Sequence, residues 1–128
     1  MATSIELNEK TLIKITKSDL QNYAWASGDI NPIHFDEQKA KDMGLPGVIA
    51  HGLFVHSLML NFVEDVLEKK SPNSKITKSK TSFSGMVLVP CSVELSLSKS
   101  SEAKFVVELS SADKPELKLV SIELQLSE

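Results

Sequence analysis

Hydrophobic positions change period near Lys70, from helical spacing before it to alternation after it. Thr11 to Thr16 reads as an opening strand, apolar at Ile13 and Ile15. Ser18 or Asp19 then offers an N-cap for a helix over Leu20 to Ala26, which places Leu20, Tyr23 and Ala24 on one side. Gly28 is placed to stop it, and Ser27 to Pro32 is dense in turn formers. A short helix follows over Asp36 to Met43, capped by Asp36 and closed by Gly44. The longest helical pattern runs from Gly52 to Lys69, roughly 27 Å at 1.5 Å per residue. Its first half, with Leu53, Phe54, Val55, Leu58, Met59, Leu60, Phe62 and Val63, is apolar nearly all round and so demands enclosure. Its second half has one dry face, at Val66 and Leu67, against Glu64, Asp65, Glu68 and Lys69.

Beyond Ser74 strands dominate. Val93 to Ser98 alternates strictly, and Phe105, Val107 and Leu109 alternate with Val106, Glu108 and Ser110. The last segment carries Leu117 and Leu119, then Val120, Ile122, Leu124 and Leu126, so its phase slips between Leu119 and Val120 and predicts a β-bulge. Turns at Lys99–Glu102 and Asp113–Pro115 make these three strands a meander. Ser74 to Phe83 is a weaker strand, strongly apolar only at Ile76 and Phe83. A buried helix beside a one-sided antiparallel sheet gives an α+β class with the sheet wrapped on the helix.

Composition narrows the picture without changing it. The 128 residues fit one domain, taken as 1–128, and 24% charged residues with 41% apolar ones exclude disorder. A net charge of -3 gives no reason to expect nucleic acid as a partner. All 14 basic residues are lysines, so no guanidinium fork is available for a phosphate or carboxylate. Cys91 is the single cysteine, which rules out an internal disulfide and fits a reducing compartment. Met1 to Lys10 has no apolar run of the signal-peptide kind. Leu45 to Val63 runs 19 residues without Asp, Glu, Lys or Arg. Pro46, Gly47 and Gly52 at its front and His51, His56, Ser57 and Asn61 inside it favour a core helix over a membrane span. A soluble, cytoplasmic protein is expected.

Reactive side chains gather at Asp29, Asn31, His34 and Asp36, followed by His51 and His56. Asp29 and His34 lie five residues apart across a turn forced by Gly28 and Pro32, and a carboxylate and an imidazole held together can share proton transfer. Asp29 and Asn31 are also ordinary turn residues able to satisfy local backbone, so spacing alone leaves both readings open. His51 and His56 miss the same-face i, i+4 spacing of a metal pair, and no metal or other cofactor is expected. Cys91, in a Val-Pro-Cys-Ser turn, reads as structural. Gly52 opens the long helix, where unpaired N–H groups and the helix dipole can hold a developing oxyanion. Packing at a helix start explains that glycine equally well.

The stretch Tyr23-Ala24-Trp25-Ala26-Ser27-Gly28-Asp29-Ile30-Asn31-Pro32-Ile33-His34-Phe35-Asp36 resembles the hydratase signature of the MaoC-like family. Ala40 and then Gly44-Leu45-Pro46-Gly47-Val48-Ile49-Ala50-His51-Gly52 are similar to that family's next block in order and spacing. The family includes (R)-specific enoyl-CoA hydratases and β-hydroxyacyl-thioester dehydratases of fatty-acid synthesis. The resemblance implies a hot-dog fold, with an antiparallel sheet around a long central helix. It implies Asp29 and His34 as the catalytic pair, Gly52 as the oxyanion donor and Asn31 as the residue that orients the catalytic loop. His51, Leu53, Phe54, Ser57 and Leu58 are expected with Asn31 on the substrate side. The family often shows an aromatic, then Pro-Val, then a Gly-Asp turn after the central helix; here Phe83 is followed by Met86-Val87 and Val89-Pro90-Cys91, without that proline or Gly-Asp.

The implied reaction is reversible hydration of a trans-2-enoyl thioester to an (R)-3-hydroxyacyl thioester, carried on coenzyme A or acyl carrier protein. Lys78 or Lys80 could meet carrier phosphate. A non-catalytic partner subunit of a hetero-oligomeric dehydratase is one alternative, which retention of both Asp29 and His34 disfavours. An acyl thioesterase of the same fold is another. At least a dimer is expected, a homodimer first and a heterodimer as the alternative.

Overall fold

The computed structural model describes residues 6–127. Residues 1–5, which begin the segment read as lacking a leader's apolar run, and residue 128 lie outside the described residues.

Strand β1 (Asn8–Ile15) starts earlier than its apolar pattern suggested, because its outer positions are polar and its pairing with β3 (Cys91–Ser101) fixes its length. Helix α1 spans Lys17–Ser27 and is capped by Thr16, not by Ser18 or Asp19. Thr16 Oγ1 accepts from the Asp19 N–H at 3.2 Å, and Asp19 Oδ2 accepts from the Thr16 N–H at 2.9 Å. Asp19 is thus the distal partner of a capping box, so the helix begins one residue before Ser18. Gly28 ends the helix in the left-handed region at φ 81°. Helix α2 (Glu37–Asp42) is capped by Asp36, as its sequence predicts. Glu37 pairs with Lys17 at 3.0 Å, which ties α2 to α1 and holds the Glu37 carboxyl below its ordinary pKa. Helix α3 covers Gly52–Lys70.

One antiparallel sheet carries the rest, in the order β1-β3-β4-β5-β2, with β2 at Lys75–Phe83, β4 at Lys104–Ser111 and β5 at Lys118–Ser127. The expected meander is β3-β4-β5, with Leu95 opposite Leu109 and Val107 opposite Ile122. The phase slip is real: Leu109 pairs with Val120 and Ser110 with Lys118, which leaves Leu119 as the extra residue. The weak pattern at Ser74–Phe83 is the edge strand β2, paired along β5 and bulged at Thr77. Thr77 Oγ1 there donates to the Gln125 carbonyl at 3.0 Å.

Helix α3 lies against β2, β3 and β4 and buries Val55, Met59, Val63, Val66 and Leu67 on the inward residues of the sheet. This is the expected α+β hot-dog arrangement, but the enclosure expected of the helix is incomplete within one chain. Leu53 is 70% exposed and Ser57 is also on the surface, since a single sheet can cover only one side of a helix. Among the described residues no helix is long and apolar enough to cross a membrane. The uncharged run Leu45–Val63 divides into a non-helical segment with one bridge, at Ile49, and the first turns of α3.

Candidate active site

Gly28 turns the chain out of α1, and the next residues are stitched by their own side chains. Ser27 Oγ accepts from the Asp29 N–H at 3.2 Å, Asp29 Oδ1 from the Asn31 N–H at 3.4 Å, and Asn31 Oδ1 from the Ile33 N–H at 3.2 Å. Pro32–His34 then forms a single 3-10 turn capped by Asn31. Asn31 therefore shapes the loop that presents Asp29 and His34.

His34 is buried, and its Nδ1 lies 2.8 Å from the Ile49 carbonyl. A carbonyl only accepts, so Nδ1 carries the hydrogen and the neutral ring keeps its lone pair on Nε2. That Nε2 faces Asp29 Oδ2 at 4.0 Å. The gap is too wide for a direct hydrogen bond and has the width for one water held by both acceptors. Ile49 is itself fixed: its N–H donates to the Ile33 carbonyl at 3.2 Å, and it bridges Leu88. Ala50 N–H donates to Val87 O at 2.9 Å, and Val89 N–H to Val48 O at 3.0 Å.

His51, expected on the substrate side, sits beneath His34 at 2% exposure. The two rings stack with centroids 3.7 Å apart and planes 24° from parallel. His51 Nε2 donates to the Asp29 main-chain carbonyl at 3.2 Å, and the Tyr23 ring packs on it, tilted, at 4.8 Å. Burial pushes the His51 pKa below its ordinary value, so the ring is neutral near pH 7. Its Nδ1 is buried without a hydrogen-bond partner.

Gly52 follows as the first residue of α3, where its N–H has no intrahelical acceptor. A Cβ on Gly52 would sit 3.5 Å from the Phe83 ring, so its absence leaves open space beside that ring. Phe54 meets Tyr23 edge-on at 5.4 Å, and Phe54 and Leu58 pack partly buried on the core. Leu53 and Ser57 lie on the outer face. The structure thus gathers Asp29, Asn31, His34, His51 and Phe54 and leaves Leu53 and Ser57 at the surface.

Sequence reasoning did not single out three further residues beside the pair and Gly52. The Ile49 carbonyl, which sets the His34 tautomer, leaves no side-chain signal. Tyr23 is the aromatic that opens the signature and packs on both His51 and Phe54. Phe83, beside Gly52, comes from β2. Thr81 was not singled out either; its Oγ1 lies 3.0 Å from His56 Nδ1, apart from the Asp29–His34 pair. Lys78 and Lys80 line a groove of about 530 Å³ with Lys104 and Glu123, none of it formed by Asp29 or His34.

Ligand atoms of Asp29, His34 and His51 lie within 4.8 Å of one another. Imidazole binds a metal in its ring plane at about 2 Å, and stacked planes cannot direct two lone pairs onto one ion. Burial pushes the Cys91 thiol above its ordinary pKa, which keeps it protonated and unreactive.

Known proteins place these features in a family. The relative "Fatty acid synthase beta subunit TOXC" of Cochliobolus carbonum is 34% identical over 94 residues, 73% of this chain and 4% of its own length. "3-hydroxyacyl-thioester dehydratase X" of Mycobacterium tuberculosis is 42% identical over 53 residues, 41% of this chain and 19% of its length. The chain therefore spans a small part of the curated relatives it matches. The (R)-hydratase of A. caviae involved in PHA biosynthesis superposes with a TM-score of 0.80, covering 98% of this chain and 96% of that one. At 17% identity, that likeness concerns the fold. The MaoC like domain model matches residues 3–115, which include the Asp29–His34 loop, Gly52 and most of the sheet. By that match the chain belongs to the MaoC-like domain family.

Proposed function

We propose that this chain catalyses reversible hydration of a trans-2-enoyl thioester to an (R)-3-hydroxyacyl thioester. The observation that carries the reading is the 4.0 Å gap between Asp29 Oδ2 and His34 Nε2, with the Nε2 lone pair aimed into it by the Ile49 carbonyl. Water in that gap donates to both acceptors. As its oxygen bonds to C3, its proton passes to His34 Nε2 while Asp29 holds the water and offsets the imidazolium charge. The C2=C3 electron pair moves toward the thioester, and the Gly52 N–H stabilises the enolate oxygen at the start of α3. His34 returns the proton to C2, which completes the addition of water and restores the site. Dehydration runs the same steps backwards. The residues supply every proton transfer, so the reading calls for no cofactor.

Coenzyme A and acyl carrier protein both remain compatible carriers. The M. tuberculosis relative's name, a 3-hydroxyacyl-thioester dehydratase, supports the thioester class. The exposed apolar residues Leu53 at the start of α3, Phe83 at the end of β2 and Met86 just beyond it, 70%, 55% and 49% exposed, support a second hot-dog subunit packed there. Light scattering at micromolar concentration is expected to give a dimer, and an active monomer would refute it. The functional test is incubation with crotonyl-coenzyme A. Loss of enoyl absorbance without free thiol is expected. Free thiol would indicate a thioesterase. Neither signal, with acyl carrier protein substrate also tried, would favour a binding subunit.

A further inference from the structure

The histidine beneath the catalytic loop has no part in the steps above, yet it touches both members of the pair. It is 2% exposed, stacks on His34 at 3.7 Å, donates from Nε2 to the Asp29 carbonyl at 3.2 Å, and leaves Nδ1 without a partner. A buried polar atom left unpaired costs stability, and an apolar residue in the same space would avoid that cost. The one hydrogen bond the ring makes goes to the loop that carries the reacting carboxylate. We infer that His51 is a positioning residue, which sets the separation of Asp29 and His34 by acting as a fixed spacer between the Asp29 main chain and the His34 ring. The inference rests on the hydratase reading of the same pair.

Two requirements follow from the geometry. His51 must be the neutral Nε2–H tautomer, because the Asp29 carbonyl accepts only from an N–H. It must also be flat, because its face supports the His34 ring whose edge aims at Asp29. Charged and titratable groups around it are Asp29 and His34 from the loop and Tyr23 from α1, and burial already favours the neutral ring. A proton on Nδ1 would place a cation against His34, which is the group that gains positive charge during the reaction.

The test uses three chains, the wild type, His51→Phe and His51→Gln. Phe keeps a flat ring and removes the donor; Gln keeps an amide donor and removes the ring. Long-range nitrogen NMR on the wild type reads the tautomer without any assay, and hydrogen on His51 Nε2 is expected. With crotonyl-coenzyme A, His51→Phe is expected to lower kcat by at least about tenfold, as misplaced catalytic groups do, while KM stays within about twofold. His51→Gln should recover part of that loss. Melting temperatures of the variants separate this from unfolding. Hydrogen on Nδ1 in the wild type, or full kcat in a folded His51→Phe, would overturn the inference. If wild type itself fails to hydrate the substrate, the hydratase reading falls, and the NMR result still decides whether His51 holds the Asp29 loop.

Discussion

The β3-β4-β5 meander and the segment from Gly28 to Gly52 are held by opposite means. In the meander, Leu95, Leu97, Phe105, Val107, Leu109 and Ile122 are fully buried, and alternation along each strand places them there. In the loop segment the buried set includes His34 and His51, and the path is set by side chains that bond to nearby backbone. The meander gains stability from removing apolar surface from water. The loop gives up that gain in exchange for a fixed carboxylate, a fixed imidazole and a 4.0 Å gap. On the proposed hydratase reading, stability and chemistry rest on different residues, and substitutions in the two regions should separate them.

The largest expected effects test that separation directly. Asp29→Asn and His34→Gln each remove a proton carrier and little packing, and should lower kcat/KM for crotonyl-coenzyme A by at least about 100-fold with Tm nearly unchanged. Leu109→Ala, at 0% exposure, should lower stability by about 2–5 kcal/mol and leave kcat/KM of the folded protein close to wild type. Equal losses of both quantities in both regions would show that loop and meander act as one unit.

How legible each region was follows from the same contrast. Alternation in β3, β4 and β5 is carried by side chains, so even the bulge at Leu119 showed as a slip of phase. Edge strand β2 has mostly exposed residues, so nothing in its sequence marked the bulge at Thr77. The helix cap was misplaced because Thr16 and Asp19 are both good cap residues and only their reciprocal bonds decide between them. In the site, spacing across a turn left two readings open for Asp29 and His34, and the resemblance to the MaoC-like signature singled them out. The Ile49 carbonyl and the stacking of His51 arise from tertiary contact, which spacing does not encode.

A mid-sized effect concerns two residues of α3, which follows the loop segment and packs on the sheet. Phe54 packs on Tyr23 and on the core, and Leu58 lies one turn further along α3. If either closes the acyl pocket, its replacement by Ala should raise kcat/KM for C6 and C8 enoyl thioesters relative to C4, by up to about 0.8 kcal/mol per added methylene. If they serve only packing, stability falls and the C4 to C8 ratio stays put. Measuring the ratio beside Tm decides between the two roles.

A smaller effect is a pH dependence of stability. The folded pKa of His51 lies below its ordinary value of 6.5, because burial disfavours the charged ring. Between the two values the unfolded chain binds a proton that the folded chain does not, so stability rises with pH there. The contribution is complete above about pH 6.5 and is lost as pH falls from there through the folded value. Carboxylates titrate lower and are common to all variants. His51→Phe should therefore show a shallower fall of Tm below pH 6.5 than wild type, and parallel curves would contradict this.

The smallest effect lies at the junction, where Gly28 ends α1 and starts the loop that carries Asp29 and His34. Its N–H donates to the Ala24 carbonyl at 3.0 Å, and its φ of 81° is in the left-handed region. A Cβ there would meet nothing within 4 Å, so the cost of a side chain is conformational and not steric. Gly85 is the opposite case, since a Cβ there would come within 2.8 Å of Leu119 Cδ2. Gly28→Ala should keep the chain path, lower stability by about 1 kcal/mol and drop Tm by roughly 4 °C. Gly28→Asn should cost less, because Asn adopts the left-handed conformation more readily. Because the path is kept, the Asp29 carboxylate stays where it is, and kcat/KM should fall by less than about threefold in either variant. An Ala variant of unchanged Tm but strongly reduced turnover would reverse the assignment, making Gly28 a requirement of the loop and not of the helix end.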